Sequence, residues 1–374
     1  MRFQKTNKLP HWEGNTTIDT GDDNTAIPSI FPIALRTQLI STLRRGGQIS
    51  DRNLGITNNK TNFDIQTPYF LKLISHTPIT ENMDIHVDTA IIRNQNQASF
   101  SIDKAWIRYQ VSEDVPVSLL AGQLEVSDVI LDINTRMSIK PPLIYKQSGL
   151  GRDQVMQIDI DLEDYSLTTG ISNSALENNQ KDINSPGIGR SDFAFDDNNR
   201  KSIYTYFGKK IQFTKASLFW RVSEQLTPSD PLAEQLSTRN AFRYTTGVDF
   251  QGHPTNSVVW MAQFIWNKWD DFLEKQQTKQ WYGGFFSIDY HATSSMSYSL
   301  LFNYSNAYDF KNTGTVFEGL SSTSVTTTLS YYFRSNVRGI LEITMDFLSK
   351  EDDDDFVGHE SKEDAIILGI DISY

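Results

Sequence analysis

The chain of 374 residues contains no cysteine, and this absence excludes disulfides, thiol nucleophiles and cysteine-based metal sites. Long apolar runs are also missing. The mean hydropathy is −0.42 and 38% of the residues are hydrophobic, and no stretch reaches the roughly 18 consecutive apolar residues that a transmembrane helix requires. If the chain crosses a membrane, it must therefore do so as a closed β-barrel, because hydrocarbon offers the backbone no other hydrogen-bond partners.

Basic residues are in the minority. The sequence has 34 Lys and Arg against 46 Asp and Glu, and its net charge is −12. Nucleic-acid binding depends on clustered Lys and Arg that neutralise phosphates, so no nucleic-acid partner is expected.

The N-terminal residues Met1–Lys8 lack the apolar segment of a signal peptide. A chain exported to an outer membrane needs such a segment when it is synthesised, so the sequence is interpreted as a mature or trimmed form. A cytoplasmic protein is the simpler alternative on this observation alone.

Aromatic residues are plentiful, with 15 Tyr, 22 Phe and 7 Trp, and many lie in stretches that alternate apolar and polar residues. In one such stretch Tyr298, Leu300 and Phe302 share one face, while Ser299 and Asn303 share the other. Alternation over about ten residues is typical of a strand with one face in lipid and one in water. Aromatic rings at the membrane interface are typical of the same class.

The alternating runs predict sixteen strands. They lie near residues 34–43, 66–75, 83–92, 99–110, 116–125, 154–162, 165–173, 202–209, 215–222, 241–250, 257–266, 281–292, 295–305, 323–333, 336–347 and 364–374. The predicted connectors alternate between short turns and longer segments: 44–65, 126–153 and 223–240 are among the long ones, and 93–98 is of modest length. A soluble β-sandwich also alternates apolar and polar residues, but it has no reason to alternate its loop lengths in this way.

The sequence therefore predicts an all-β fold, a sixteen-stranded antiparallel transmembrane β-barrel with short periplasmic turns and long outer loops. The barrel is expected over residues 34–374, with 1–33 as an extended or partly disordered lead-in. The last strand supports an outer-membrane location: Ile370, Ile372 and the terminal Tyr374 share one face, as in the C-terminal targeting signal of outer-membrane barrels. Ile367 departs from strict alternation, and a soluble strand that ends in Tyr by chance is the alternative.

Four stretches resemble the phosphate-selective (O/P-type) porin family. They are Ser101-Ile-Asp-Lys-Ala-Trp-Ile-Arg-Tyr-Gln, Leu119-Leu-Ala-Gly-Gln, Gly170-Ile-Ser-Asn-Ser and Asp196-Asp-Asn-Asn-Arg-Lys-Ser-Ile-Tyr-Thr-Tyr. They cover well under a third of the chain. The resemblance implies a trimeric outer-membrane channel. Phosphate selectivity in that family depends on segments rich in Arg and Lys, and it is not carried over, because the expected pore lining here is mixed.

The expected lining follows from the strand phase. Five basic residues are predicted to face the lumen, Lys104, Arg108, Arg221, Arg243 and Arg338, against nine acidic ones, Asp84, Asp88, Asp159, Asp161, Asp249, Asp289, Glu342, Asp346 and Asp371. Rings of charged side chains set the selectivity of such pores. The count predicts a mixed and somewhat acidic wall.

Segment 126–153 is too apolar for a loop in solvent and is predicted to fold into the lumen as a constriction loop. It would bring both signs of charge to the narrowest point, through Asp128, Asp132, Arg136, Lys140 and Lys146. The alternative is an outer loop that caps the barrel or packs against a neighbouring subunit.

No enzyme motif is present. The six histidines lack HExxH, GxSxG or P-loop surroundings, and only His291, two residues after Asp289, could form a catalytic pair on the inward face. No cofactor or metal is expected. The acidic run at 351–355 could bind Ca²⁺, Mg²⁺ or lipopolysaccharide, although such runs are usually solvated loops.

The predicted function is a bacterial outer-membrane porin for passive diffusion of small hydrophilic solutes or ions through a mixed-charge constriction. Its expected partners are outer-membrane lipid, lipopolysaccharide, the solutes themselves and two further copies in a homotrimer. Two alternatives stay open: a non-conducting barrel that serves as a structural sheath or adhesion platform, and a secreted all-β binding protein.

Overall fold

The computed structural model describes residues 17–19, 26–28, 33–45, 61–94, 97–111, 116–126, 139, 142–144, 148, 150, 152–173, 201–228, 236–272, 276–310, 321–347 and 364–373. In this part of the chain, no helix is both long and apolar enough to cross a membrane.

Sixteen antiparallel strands close into one barrel, and two short strands precede them. The bounds are β1 Thr17–Asp19, β2 Ala26–Pro28, β3 Ile33–Arg45, β4 Thr61–Thr80, β5 Met83–Asn94, β6 Gln97–Gln110, β7 Val117–Glu125, β8 Arg152–Asp161, β9 Tyr165–Ser172, β10 Ser202–Ile211, β11 Thr214–Pro228, β12 Leu236–Thr255, β13 Val258–Trp269, β14 Lys279–His291, β15 Met296–Asn306, β16 Ser322–Arg334, β17 Val337–Asp346 and β18 Asp364–Ser373. Each barrel strand pairs with its sequence neighbours, and β18 pairs with β3 to close the ring. A 3-10 turn spans Tyr308–Phe310.

The predicted fold class is confirmed, and every predicted strand has a counterpart. Some connectors are shorter than expected because the strands beside them are longer; β4 and β12, for example, are each 20 residues long. The segment between β11 and β12 is 229–235 instead of 223–240, and that between β5 and β6 is 95–96 instead of 93–98. Backbone pairing can continue beyond the apolar belt, where the side chains need not alternate, so the pattern underestimates strand length. Within 1–33, β1 and β2 pair antiparallel.

The two faces of the barrel differ in the way that a membrane strand requires. Along β15, Tyr298, Leu300 and Phe302 are exposed on the outside, whereas Ser299 and Asn303 are buried on the inside. The inner face is not uniformly polar, however. Buried apolar side chains also point inward, and these include Met261, Ile265, Phe285, Leu301, Ile340 and Ile367. A second surface must cover these residues inside the barrel.

Aromatic residues are distributed unevenly around the ring. Each strand from β9 to β16 contains at least one Phe, Tyr or Trp. Six of the other eight strands, namely β17, β18, β3, β5, β7 and β8, contain none. The aromatic and aromatic-poor strands thus form two opposite halves of one barrel.

Candidate functional site

The described residues of the segment that follows β7, namely 126, 139, 142–144, 148 and 150, lie inside the barrel. They touch three strands of the far side: the Ile139 N–H donates to Glu342 Oε2 on β17 at 2.7 Å, and the Leu143 N–H donates to Asn303 Oδ1 on β15 at 3.1 Å. Asn267 Nδ2 on β13 donates to Ser148 Oγ at 2.9 Å. Because β15 is eight strands from β7 in a ring of sixteen, a segment that begins at β7 reaches these side chains only through the lumen.

Apolar packing holds the same segment against the inner face of β10–β15, which we name the loop-covered wall. Val126, Ile144 and Leu150 are fully buried. They belong to one hydrophobic cluster with residues of β10, β11, β13, β14 and β15, namely Tyr204, Tyr206, Phe219, Met261, Ile265, Phe285 and Leu301, and the cluster extends to Leu120 and Leu124 of β7 and Val155 of β8. This packing explains why so many inward positions on these strands are apolar.

Glu342 joins the segment to the barrel on β17. Its Oε2 accepts the Ile139 N–H and also the Thr328 hydroxyl, which donates at 2.8 Å. The side chain is completely buried. Hydrogen bonds to an ionised acceptor are about twice as strong as neutral ones, so this carboxylate is well suited to anchor a backbone segment.

A second region, the inner face of β3–β6 together with β17 and β18, carries ion pairs, and we name it the charged wall. At its centre Arg36 donates to Asp371 through Nε at 3.1 Å and Nη2 at 2.7 Å. Arg338 Nη2 donates to the same carboxylate at 2.9 Å. One buried acid thus holds two arginines, one from each neighbouring strand.

A bulge on β6 adds a further acid to the charged wall. Lys104 pairs with Asp88 in register and Ile102 pairs with Thr89, so Asp103 is an extra residue. Bulges re-aim side chains, and Asp103 here approaches Lys72 Nζ at 2.8 Å, while Asp88 lies 3.4 Å from the same amine. Strict alternation would have placed Asp103 toward lipid.

The third group on the charged wall is centred on Asp84. Arg108 donates to its two carboxylate oxygens at 3.1 and 2.9 Å, and His76 Nε2 lies 3.2 Å from Oδ2. Beside them the Trp106 ring stacks on His86, with ring centroids 5.1 Å apart. The Arg108 guanidinium lies 5.4 Å from the centroid of the Trp106 ring.

The other predicted lumen residues lie outside the charged wall and are mostly covered. Arg221 pairs with Asp153 at 3.3 Å, and Arg243 lies 4.7 Å from the Trp281 ring centroid. Asp159 accepts the Thr168 hydroxyl at 2.6 Å. Asp249 and Asp289 are buried. The predicted loop charges, Asp128, Asp132, Arg136, Lys140 and Lys146, and the acidic run at 351–355 fall outside the described residues.

Sequence reasoning missed four of these ionic residues: Arg36, Lys72, Asp103 and Asp153. Arg36 and Lys72 face each other across β3 and β4, whose alternation is hard to follow because the register shifts between Gln38 and Ile40. The available signal was a basic residue beside apolar ones in each strand, since Leu35 precedes Arg36 and Leu71 and Leu73 flank Lys72.

His291, the possible catalytic partner of Asp289, also has a partner on the next strand. Its Nδ1 lies 2.9 Å from Ser297 Oγ on the adjacent strand, and Ser297 is fully buried. The contact is better described as cross-strand pairing.

The Gly-Gln pair at the end of the second resembling stretch also has a local structural role. Gly122 adopts φ of 140°, and a Cβ there would collide with the backbone of Ala105 on β6. Gln123 Nε2 donates to the Ile102 carbonyl at 2.6 Å. This pair therefore brings β7 close to β6, whatever the chain's family.

Comparison with known proteins adds evidence on the fold. No family model and no curated relative matches the sequence. Its structural neighbours include outer-membrane porins. An anion-selective porin from Comamonas acidovorans has a TM-score of 0.58 at 10% identity, covering 92% of this chain and 100% of the other. The outer-membrane channel DcaP of Acinetobacter baumannii has a TM-score of 0.57 at 10% identity, covering 91% and 97%.

A third neighbour is the trimer form of in-vitro folded OmpT, an outer-membrane protein of Vibrio cholerae. It has a TM-score of 0.53 at 9% identity, covering 92% of this chain and 99% of the other. At such identities the likeness shows the fold alone.

Proposed function

We propose that this chain is a bacterial outer-membrane porin that lets small hydrophilic solutes diffuse passively through a water-filled lumen. The observation that carries the proposal is the segment after β7, which enters a closed barrel and bonds to the far side at Glu342, Asn303 and Asn267. A segment in this position narrows a lumen to a size that can select among solutes. Diffusion of this kind requires neither a cofactor nor catalysis.

The narrowest passage is expected between this segment and the charged wall. The segment packs against β10–β15 through apolar contacts and reaches β17 at the buried Glu342, so the lumen left to water is expected to adjoin β3–β6. The charges expected on the segment, Asp128, Asp132, Arg136, Lys140 and Lys146, would line this passage from the other side. Charges of both signs order water and penalise apolar solutes.

The exposed apolar outer face supports a location in the outer membrane, in contact with lipid and lipopolysaccharide. Interfacial aromatics mark lipid contact in barrels, and they are concentrated on β9–β16. The aromatic-poor half suits contact with further copies, which supports a homotrimer like the trimer form of the Vibrio cholerae neighbour. Native mass spectrometry of the detergent-solubilised chain tests this: three copies are expected, and a monomer would refute the trimer. Kinship with the phosphate-selective porins stays a prediction.

Planar-bilayer conductance of the refolded chain tests the function. Wild type is compared with a deletion of residues 128–146, and each must shift on unheated gels as a folded barrel does. Discrete channels that conduct more after the deletion are expected, because the segment no longer fills part of the lumen. A folded barrel that never conducts would refute the porin and favour the structural sheath.

A further inference from the structure

The ion pairs of the charged wall have a consistent orientation. The exposed fractions of the side chains are 25% for Arg36 against 0% for Asp371, and 45% for Arg108 against 19% for Asp84. Lys72 is 22% exposed, and its two acids, Asp88 and Asp103, are 11% and 5% exposed. In these three groups the cation is more exposed to the lumen than its carboxylate, whereas Arg338, the second arginine on Asp371, is buried.

These cations follow one another along the pore. Their partners on β5 give their order: Arg108 and Lys104 of β6 pair with Asp84 and Asp88, and Lys72 of β4 pairs with Ala90. Arg36 of β3 pairs with Lys72. The span from 84 to 90 is about 20 Å of strand, at about 3.3 Å per residue. Lys104 is itself partly exposed. The result is a line of four cations, here named the cation ladder.

The acids that dominate the formal count are placed differently. Asp249, Asp289 and Glu342 are 1%, 3% and 0% exposed, and all three belong to strands that the inward segment touches or adjoins. A solute in the lumen cannot contact them. Asp159 and Asp346 are partly exposed and Asp161 is exposed, but they lie on β8 and β17, so on β3–β6 the more exposed charges are positive.

We propose that the pore favours small anions, such as chloride and small carboxylates, which pass along the cation ladder of Arg108, Lys104, Lys72 and Arg36. This inference rests on the proposed porin function and deepens it. Guanidinium and ammonium N–H groups replace part of the hydration of an anion. The carboxylate behind each cation weakens the attraction of that cation for a passing anion. An anion that binds can therefore also leave, as conduction requires.

The test is the reversal potential in a potassium chloride gradient for wild type, Arg108→Gln and Asp84→Asn. Arg108→Gln removes a lumen charge and exposes the acid behind it, so the chloride preference is expected to fall by about two-fold or more. Asp84→Asn leaves the cation without its screening acid and is expected to raise that preference. A general loss of structure would move both variants in the same direction. Lys209→Gln is the matched control, because this lysine lies on the outer face beside Tyr165 and its loss is expected to leave the potential unchanged.

The possible outcomes distinguish a failure of the proposed anion preference from a failure of the proposed porin function. Channels that prefer chloride, with opposite shifts in the two variants, support the cation ladder. Channels that prefer potassium, or that do not respond to Arg108→Gln, overturn the ladder and leave the porin intact. A folded barrel without channels overturns both.

Discussion

The charged wall and the loop-covered wall differ on both faces of the sheet. Outside, most strands of the charged wall have no aromatic residues, whereas every strand of the loop-covered wall has at least one. Inside, the charged wall carries pairs such as Arg36–Asp371 and Arg108–Asp84, and the loop-covered wall carries apolar side chains such as Phe285 and Leu301.

The difference shows that the inner polarity of a barrel strand depends on what covers it. Where water fills the lumen, charged and hydroxyl groups are stable because they are hydrated or paired. Where a protein segment covers the wall, burial of apolar surface contributes about 25 cal/mol per Å², and apolar residues are favoured inside as well as outside. One barrel can therefore hold both kinds of wall.

The largest effect is expected at the centre of the charged wall. Asp371→Asn leaves Arg36 and Arg338 without their shared carboxylate, and breaking a buried pair in this way costs about 3–5 kcal/mol. Urea unfolding of the folded barrel in detergent measures the change. Asp84→Asn is the control: its pair is far more exposed, so a loss below about 1 kcal/mol is expected. Equal losses would show that burial does not distinguish the two pairs.

An effect on stability of similar size is expected on the loop-covered wall, at two adjacent phenylalanines on opposite faces of β14. Phe285→Ala should cost about 3–5 kcal/mol and raise the conductance, because Phe285 shares its cluster with Ile144 and Leu150 of the inward segment. Phe286→Ala faces outward and should cost about 1.5–3 kcal/mol without changing conductance. Single-channel recordings measure the conductance of both variants. A conductance change in Phe286→Ala alone would show that Phe286, and not Phe285, faces the lumen.

The barrel could be predicted from the sequence because lipid outside and water inside make apolar and polar residues alternate along a strand with a period of two. The exceptions to that period carried information as well. Ile367, which departs from alternation in β18, points inward and is buried. Adjacent apolar pairs, such as Phe285-Phe286, place one side chain on each face. Such pairs indicate where a strand is covered on both sides.

The ionic layout was less accessible to sequence reasoning. The bulge at Asp103 changes the strand phase, and a residue count does not reveal which member of a pair faces the lumen. The exposed cations of the charged wall became apparent only from the relative burial of Arg108 and Asp84, or of Arg36 and Asp371. A net charge computed from the strand phase therefore gave the wall's composition but not its accessible sign.

Thiol accessibility tests the central claim most directly, namely that the open lumen adjoins the charged wall and not the loop-covered wall. The chain has no cysteine, so Arg108→Cys and Leu301→Cys each introduce a single thiol. A charged methanethiosulfonate reagent added to conducting channels should lower the conductance of Arg108→Cys in steps and leave Leu301→Cys unchanged, since the inward segment buries Leu301. Modification of Leu301→Cys as fast as Arg108→Cys, or no effect at either, would contradict the account.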